Sequence, residues 1–214
     1  MGSAPQDRRL TLEDIEDLRA YERGRVAYRD KVIELKRRRR VAVGPLVTLL
    51  FENRETIRFQ VQEMVRVERL LSDEQVQGEL DIYNPLIPPP GELSATLFIE
   101  LTSEAALRQW LGKLVGIERS VELRLGSRAG AASGSGARDR DEVVRSVPEA
   151  AHEESLTREA VTPSVHYVRF VLSPEQVGLF AEGPVVLALS HPSYEEETLL
   201  SEETREELLG DLRP

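Results

Sequence analysis

The densest group of charged and amide side chains in the sequence occupies residues 51–64. An apolar segment, residues 46–51, ends there, and its pattern predicts a strand followed by a helix from about residue 55 to residue 71. Carboxylate, amide and guanidinium groups recur on nearly every turn of that helix. Fixed charge of this density beside a core strand predicts a binding or catalytic surface. The candidate binding residues are Glu52, Asn53, Arg54, Arg58, Gln60 and Glu63, with Tyr83 and Asn84 from the end of the next predicted helix.

Glu63 differs from the other acidic residues of this helix because it falls within an apolar stripe. A lone buried carboxylate is unfavourable unless it is paired or hydrogen-bonded. We therefore expect Glu63 either to pair with an arginine or to bind something else.

A run of cations, residues 36–40, closes an earlier predicted helix. One interpretation is that Arg37, Arg38, Arg39 and Arg40 are solvated and complement the negative end of the helix dipole. The other is that they form a clamp for a phosphate, a carboxylate ligand or the acidic face of a partner. Both interpretations stay open at the level of sequence.

Two histidines could contribute to a metal site. His166 begins one predicted strand and His191 ends another, so antiparallel pairing of these strands would bring both histidines to one end of the sheet. With a carboxylate from Glu52 or Glu63, they would suit iron, manganese or zinc. The alternative is two histidines at the edge of the core, each bonded to a backbone carbonyl.

Several functional classes are excluded or left without a signal. The 214 residues contain no cysteine, which rules out thiol chemistry and an iron–sulfur cluster ligated by this chain. No glycine-rich phosphate loop, nucleophile elbow or His-Glu-x-x-His sequence occurs, so whether the protein is an enzyme stays open. No apolar run approaches the roughly 20 residues that span a bilayer, and no signal peptide opens the chain, so we expect a soluble, cytoplasmic protein without a membrane partner.

Charge argues against general binding of nucleic acid. The chain has a formal net charge of -10. Residues 1–40 hold 12 basic against 8 acidic residues, a net of +4, whereas residues 141–214 hold 5 against 16, a net of -11. Because neutralisation of phosphates dominates affinity for nucleic acid, an acidic protein is a poor general binder. The basic start leaves a local anion site open.

The predicted elements indicate a single α+β domain. About five strands are mixed with helices in no regular βαβ alternation, which favours a mixed, mostly antiparallel sheet with helices packed on it. Residues 1–9 are predicted to be a flexible N-terminus, and residues 10–125 with 161–214 to be the domain. Residues 126–160 begin with a glycine- and serine-rich stretch and are predicted to be a largely disordered insertion in a loop.

Several longer motifs resemble an uncharacterised bacterial family, domain of unknown function number 3501. They are residues 37–45, 51–64, 79–88, 95–100, 165–170 and 191–194. The resemblance covers the chain except for its first few residues and the glycine- and serine-rich insertion. It brings no established activity. Members are small cytoplasmic proteins often encoded near rubrerythrin-like proteins and iron–sulfur oxidoreductases, which implies an accessory role in redox or peroxide metabolism.

Three functional hypotheses follow. The first is an accessory protein that binds a redox partner, such as an iron–sulfur oxidoreductase or a rubrerythrin-like protein, through residues 37–40 and 53–68. The second is a metal-dependent enzyme that uses His166, His191 and a carboxylate. The third and weakest is a regulator that binds nucleic acid.

Overall fold

The computed structural model describes residues 8–126, 142–149 and 161–213, which form one α+β domain. Its six α-helices, within these residues, are α1 (Leu18–Arg39), α2 (Arg54–Glu68), α3 (Asp73–Tyr83), α4 (Glu104–Trp110), α5 (Pro174–Glu182) and α6 (Glu202–Leu212). Its strands are β1 (Arg40–Val43), β2 (Val47–Glu52), β3 (Glu92–Ile99), β4 (Val121–Leu125), β5 (Glu142–Arg145), β6 (Val147–Pro148), β7 (Val165–Val171), β8 (Val185–His191) and β9 (Tyr194–Leu199).

The strands divide between two antiparallel sheets. The first sheet has the order β1-β2-β3-β7-β6, and the second has the order β5-β4-β8-β9. Within the described residues, every pair of neighbouring strands in each sheet is antiparallel. The predicted α+β class and the antiparallel pairing are confirmed, while the described residues hold more strands than the five expected and arrange them in two sheets.

The two sheets share one apolar core. Along β2, Val47, Leu49 and Phe51 face this core, because successive side chains of a strand point to opposite sides of the sheet. Matching residues of β3 and β7 face it from the same sheet, and those of β4 and β8 complete it from the second. We call the side of the first sheet that meets this core its inner face.

The outer face of the first sheet is also covered. Thr48, Leu50 and Glu52 of β2 lie on it, and all three are buried. The N-terminal helices pack on this side around a second, smaller apolar cluster that includes Ile57 and Leu80. Both faces of the sheet are therefore enclosed, and the outer face carries polar side chains between its apolar neighbours.

Tyr194 joins the two sheets at one corner. Its hydroxyl donates to the carbonyl oxygen of Val43 at 2.7 Å and accepts a hydrogen bond from the amide of Leu46 at 3.0 Å. The intervening Gly44 has a φ of 67° and approaches Tyr194 so closely that a Cβ atom would lie 2.5 Å from the tyrosine oxygen. The turn between β1 and β2 is thus held by a residue about 150 positions away.

Within the predicted insertion 126–160, residues 142–149 are ordered. β5 pairs with β4, and β6 pairs with β7. The buried Val144 explains the pairing of β5, since it adds an apolar side chain to the shared core. Residues 127–141 and 150–160 lie outside the described residues, as do residues 1–7 of the predicted flexible N-terminus. Among the helices of the described segments, none is long and apolar enough to cross a membrane.

Candidate functional site

A cavity of about 260 Å³ lies between the outer face of the first sheet and the N-terminal helices. Its volume is slightly below the roughly 300–1,000 Å³ typical of pockets for drug-sized ligands. The lining residues are Lys36, Leu50, Glu52, Thr56, Ile57, Gln60, Tyr83, Leu86, Thr96, Phe98, Val165 and Tyr167. They come from α1, α2, α3, the turn after α3 and three adjacent strands of the first sheet, so segments distant in sequence form the site together.

Glu52 is the buried acid of this cavity, with only 6% of its surface exposed. It is the last residue of β2, and the strand alternation turns it to the outer face. The hydroxyl of Thr56 donates to one carboxyl oxygen at 2.5 Å, and the hydroxyl of Thr96 donates to the other at 2.6 Å. No lysine or arginine in the described part of the chain forms a salt bridge with this carboxyl group. Glu52 is therefore held by neutral donors alone.

Two tyrosines line the cavity with Glu52. Tyr167 lies on β7 directly opposite Thr96 of β3. Burial raises the pKa of Tyr167 above its ordinary value of 10.0, and the nearby Tyr83 and Glu52 raise it further. At neutral pH the phenol of Tyr167 therefore keeps its proton and can serve as a hydrogen-bond donor.

The cavity wall also includes residues that are only half-buried. Lys36 is one of them, and its ammonium group lies 5.4 Å from the ring centre of Phe59, a cation–π distance. Gln60, one turn of α2 beyond Thr56, contributes an amide. A ligand would thus meet a buried carboxyl group together with an amide and an ammonium group that are closer to solvent.

Glu63 does not line this cavity. It is paired with an arginine, which was one of the two alternatives from the sequence. Arg25 of α1 donates to both of its carboxyl oxygens at 2.8 Å, and Tyr21 and Arg66 also donate to it. The hydrogen bond from Arg25 is the largest cause that lowers the pKa of Glu63 to about 2. Glu63 therefore joins α1 to α2.

The other predicted polar residues stabilise local structure. Asn53 is the N-cap of α2, where its side chain accepts hydrogen bonds from the amides of Glu55 and Thr56. Arg54 pairs with Asp14 at 2.6 Å. These contacts hold the start of α2, from which Thr56 reaches Glu52.

Arg58 and Asn84 fasten the segment that precedes α1. Arg58 donates to the carbonyl oxygen of Asp14 at 2.8 Å. The side-chain amide of Asn84 forms two hydrogen bonds with the backbone of Leu10, at 2.8 and 3.0 Å. Among the candidate binding residues from sequence, the structure brings Glu52, Gln60 and Tyr83 together in the cavity.

The arginine block 37–40 does not form one open surface. Arg37 and Arg38 pair with glutamates of α1 and α6. Arg39 is fully buried and pairs with Glu207 and Asp211 of α6. Arg40 pairs with Glu100 at 3.2 Å. The expectation of a partner-facing clamp is wrong for Arg39, because helix geometry turns this one residue of the run inward, where α6 supplies its carboxylates.

The predicted pairing of the two histidine strands is wrong. β7 belongs to the first sheet and β8 to the second, because the chain crosses between the sheets through α5. His166 lies opposite Leu97 on the inner face, whereas Glu52 lies on the outer face.

Each histidine has a local partner. The Nε2 atom of His191 lies 3.1 Å from the carbonyl oxygen of Val115, as expected for a histidine at the core edge. The Nε2 atom of His166 lies 2.9 Å from the hydroxyl oxygen of Thr162. Burial lowers the pKa of His166, which favours its neutral form. Residues 8–126, 142–149 and 161–213 contain no group of three or more histidine, cysteine or carboxylate side chains able to hold a metal.

Sequence reasoning missed most of the opposite wall of the cavity. Thr96, Phe98 and Tyr167 were not among the predicted site residues, and neither was Thr56 or Lys36. A usable signal existed in β3, where the polar Ser94 and Thr96 alternate with the apolar residues Leu93, Ala95 and Leu97. Polar side chains at alternate positions of a central strand indicate a face that encloses something other than a plain apolar core.

The fold and the cavity define an α+β domain of two antiparallel sheets with a small, partly open site under its N-terminal helices. The family model described as "Protein of unknown function (DUF3501)" matches residues 9–212, and the chain belongs to this family. A crystal structure of a protein of unknown function from Burkholderia pseudomallei is similar, with 33% sequence identity and a TM-score of 0.81. The similarity covers 95% of this chain and 98% of that one. The comparison with curated proteins gave no match.

Proposed function

We propose that this protein binds a small organic molecule in the cavity between the first sheet and α1, α2 and α3. The observation that carries the proposal is the buried carboxyl group of Glu52, which lines a cavity of about 260 Å³ and, among the residues that the structure describes, is held by two threonine hydroxyls alone. A ligand with a hydrogen-bond donor would give this group the further partner that a buried carboxylate requires.

Other acids of the same protein illustrate the contrast. Glu63 and Asp211 are less completely buried than Glu52, and each pairs with an arginine. A charge buried in a protein interior without an opposite charge is unfavourable by on the order of several kcal/mol. Glu52 therefore fits a group reserved for a ligand better than a group that only stabilises the fold.

Size and lining indicate the kind of molecule. The cavity is smaller than most pockets for drug-sized ligands. Its apolar wall, which includes Leu50, Ile57 and Leu86, would cover a carbon skeleton, while Gln60 and the two tyrosines supply polar contacts. A small metabolite matches these properties.

The proposal includes an accessory role in the cytoplasm, in redox or peroxide metabolism. This part rests on the family resemblance and not on a group in the cavity. Affinity purification of the tagged protein from its host should recover an iron–sulfur oxidoreductase or a rubrerythrin-like protein. Recovery of the protein without such a partner would count against the redox association and leave the ligand site untouched.

Ligand binding can be tested with a matched pair of variants on β7. Val165 lines the cavity, whereas Val171, on the same strand, is 57% exposed and lies away from the cavity. A thermal-shift screen with a library of small metabolites should find compounds that raise the Tm of the wild-type protein. Val165→Trp should reduce these shifts, and Val171→Trp should leave them unchanged. Equal shifts in all three proteins would contradict the proposed site.

A further inference from the structure

We infer that the ligand is a small zwitterion that resembles an amino acid, with its ammonium group at Glu52 and its carboxylate toward Lys36. This inference rests on the proposed function. Glu52 and Lys36 are the two charged side chains of the cavity lining. Among the described residues, neither forms a salt bridge, whether with the other or with a third charged group. The cavity lining thus presents one acid and one base that do not pair with each other.

Glu52 determines the chemistry of the buried end. A carboxylate offers about four acceptor positions and no donor. Thr56 and Thr96 occupy one position on each oxygen, so acceptor capacity remains on both. An ammonium group carries three donors and the opposite charge, and charge-assisted hydrogen bonds are roughly twice as strong as neutral ones. A cationic nitrogen is therefore the preferred group at this position.

Lys36 determines which group of the ligand lies at the solvent side of the cavity. Its ammonium group is held over the ring of Phe59 and is half-buried. A second positive charge on the ligand would be repelled there, whereas a carboxylate would be attracted. A diamine is disfavoured for this reason, and a compound with one charge of each sign is favoured.

The wall between the two charges is largely apolar. Leu50, Ile57 and Leu86 are buried there, and Phe98 and Tyr167 line the same cavity from neighbouring strands of the first sheet. This surface suits a ligand with an aliphatic or aromatic side chain. Leucine and phenylalanine are therefore reasonable probes of the class.

The test compares compounds that share a body and differ in charge. Leucine and phenylalanine, their decarboxylated amines and their deaminated acids are titrated into the wild-type protein by isothermal calorimetry. The amino acids should bind most tightly, the amines less tightly and the acids most weakly. Glu52→Gln should weaken binding of amino acids and amines by about 10-fold or more, because the charge-assisted bond is lost.

A second variant tests the other end. Lys36→Met keeps the stem of the side chain and removes its charge. It should abolish the preference for the amino acid over the matching amine, because the charge that attracts the carboxylate of the ligand is lost. Lys31→Met, at an exposed position of α1 outside the cavity, is the matched control and should behave like the wild type. Because Lys36 is half-buried, its variant remains informative if Glu52→Gln folds poorly.

The outcomes separate this inference from the proposed function. If the amines or the acids bind as tightly as the amino acids, or if Glu52→Gln and Lys36→Met do not change the binding of cavity ligands found in the metabolite screen, the zwitterion is wrong and the binding site stands. If no compound in the thermal-shift screen distinguishes Val165→Trp from Val171→Trp, the proposed function fails, and the inference fails with it.

Discussion

Replacing Arg39 with methionine should cost far more stability than the same change at the next residue. Arg39 is fully buried, and its guanidinium donates to the backbone carbonyls of Phe51 and Glu52 at 2.9 and 3.1 Å. It also pairs with the carboxylates of Glu207 and Asp211. Methionine has a stem of similar length but no donor. Breaking a buried charge pair by removing one partner costs about 3–5 kcal/mol, which is the expected loss for Arg39→Met.

Arg40→Met is the matched control. Arg40 and its partner Glu100 have side chains that are 47% and 52% exposed, and exposed ion pairs contribute about 0–1 kcal/mol. Urea unfolding followed by far-ultraviolet circular dichroism gives the free energy of unfolding of each variant. We expect the loss at Arg39 to exceed the loss at Arg40 by roughly 2 kcal/mol or more. Equal losses at the two positions would refute this account of the buried arginine.

The pH dependence of the same variant provides a second check. Burial raises the pKa of Asp211 above its usual 3.8, and Arg39 partly opposes that effect. Without Arg39, the pKa of Asp211 rises further. An acid with a raised folded-state pKa contributes stability that is present at low pH and lost as the pH rises through that pKa. The deficit of Arg39→Met should therefore be largest at neutral pH and shrink near pH ~4, and a constant deficit would contradict the argument.

Three other predictions concern stability. The pKa of Glu63 is lowered from 4.5 to about 2, so the stability that Glu63 contributes is present above pH 4.5 and lost as the pH falls toward 2. In urea titrations, Glu63→Gln should therefore lower the free energy of unfolding by about 1–2 kcal/mol at pH ~7, after allowance for the partly exposed Arg25, and by almost nothing near pH ~2. Gly44→Ala should lower the Tm, because φ is 67° and the new Cβ would lie 2.5 Å from Tyr194, whereas Gly78→Ala in α3, with no atom within 4 Å, should stabilise the protein by up to about 1 kcal/mol. Asn53→Ala removes the N-cap of α2 and should cost about 1 kcal/mol in the same unfolding assay, whereas Asn53→Asp, which keeps the capping oxygen, should cost much less.

Local sequence patterns predicted the part of the site that lies on neighbouring residues. The change from apolar to polar residues after Phe51 predicted the end of a strand and a helix from about residue 55, and the structure has β2 ending at Glu52 and α2 starting at Arg54. Glu63 was predicted either to pair with an arginine or to bind something else, since its place in an apolar stripe is visible in the spacing alone, and the structure shows the pairing. Each of these predictions depends on contacts within a few turns of chain or on the general cost of burying a charge.

The opposite wall could not be predicted because it depends on register between distant strands. Thr96 meets Glu52 only because β2 pairs with β3, about 40 residues away, and Tyr167 joins them through the pairing of β3 with β7. A shift of one residue in either register would turn these side chains to the other face. The histidine prediction failed for a related reason: it assumed that strands adjacent in sequence pair, and α5 carries the chain to the other sheet instead.

The hydroxyl of Tyr194 gives the protein a built-in reporter of its own opening. The amide of Leu46 donates to that hydroxyl and not to another strand, so its proton can be replaced by deuterium only when the phenol withdraws. Withdrawal opens the corner where the start of β9 meets the turn between β1 and β2. The deuterium uptake of this single backbone position therefore follows local opening at the contact between the two sheets, and its rate measures how often this corner opens in the native protein.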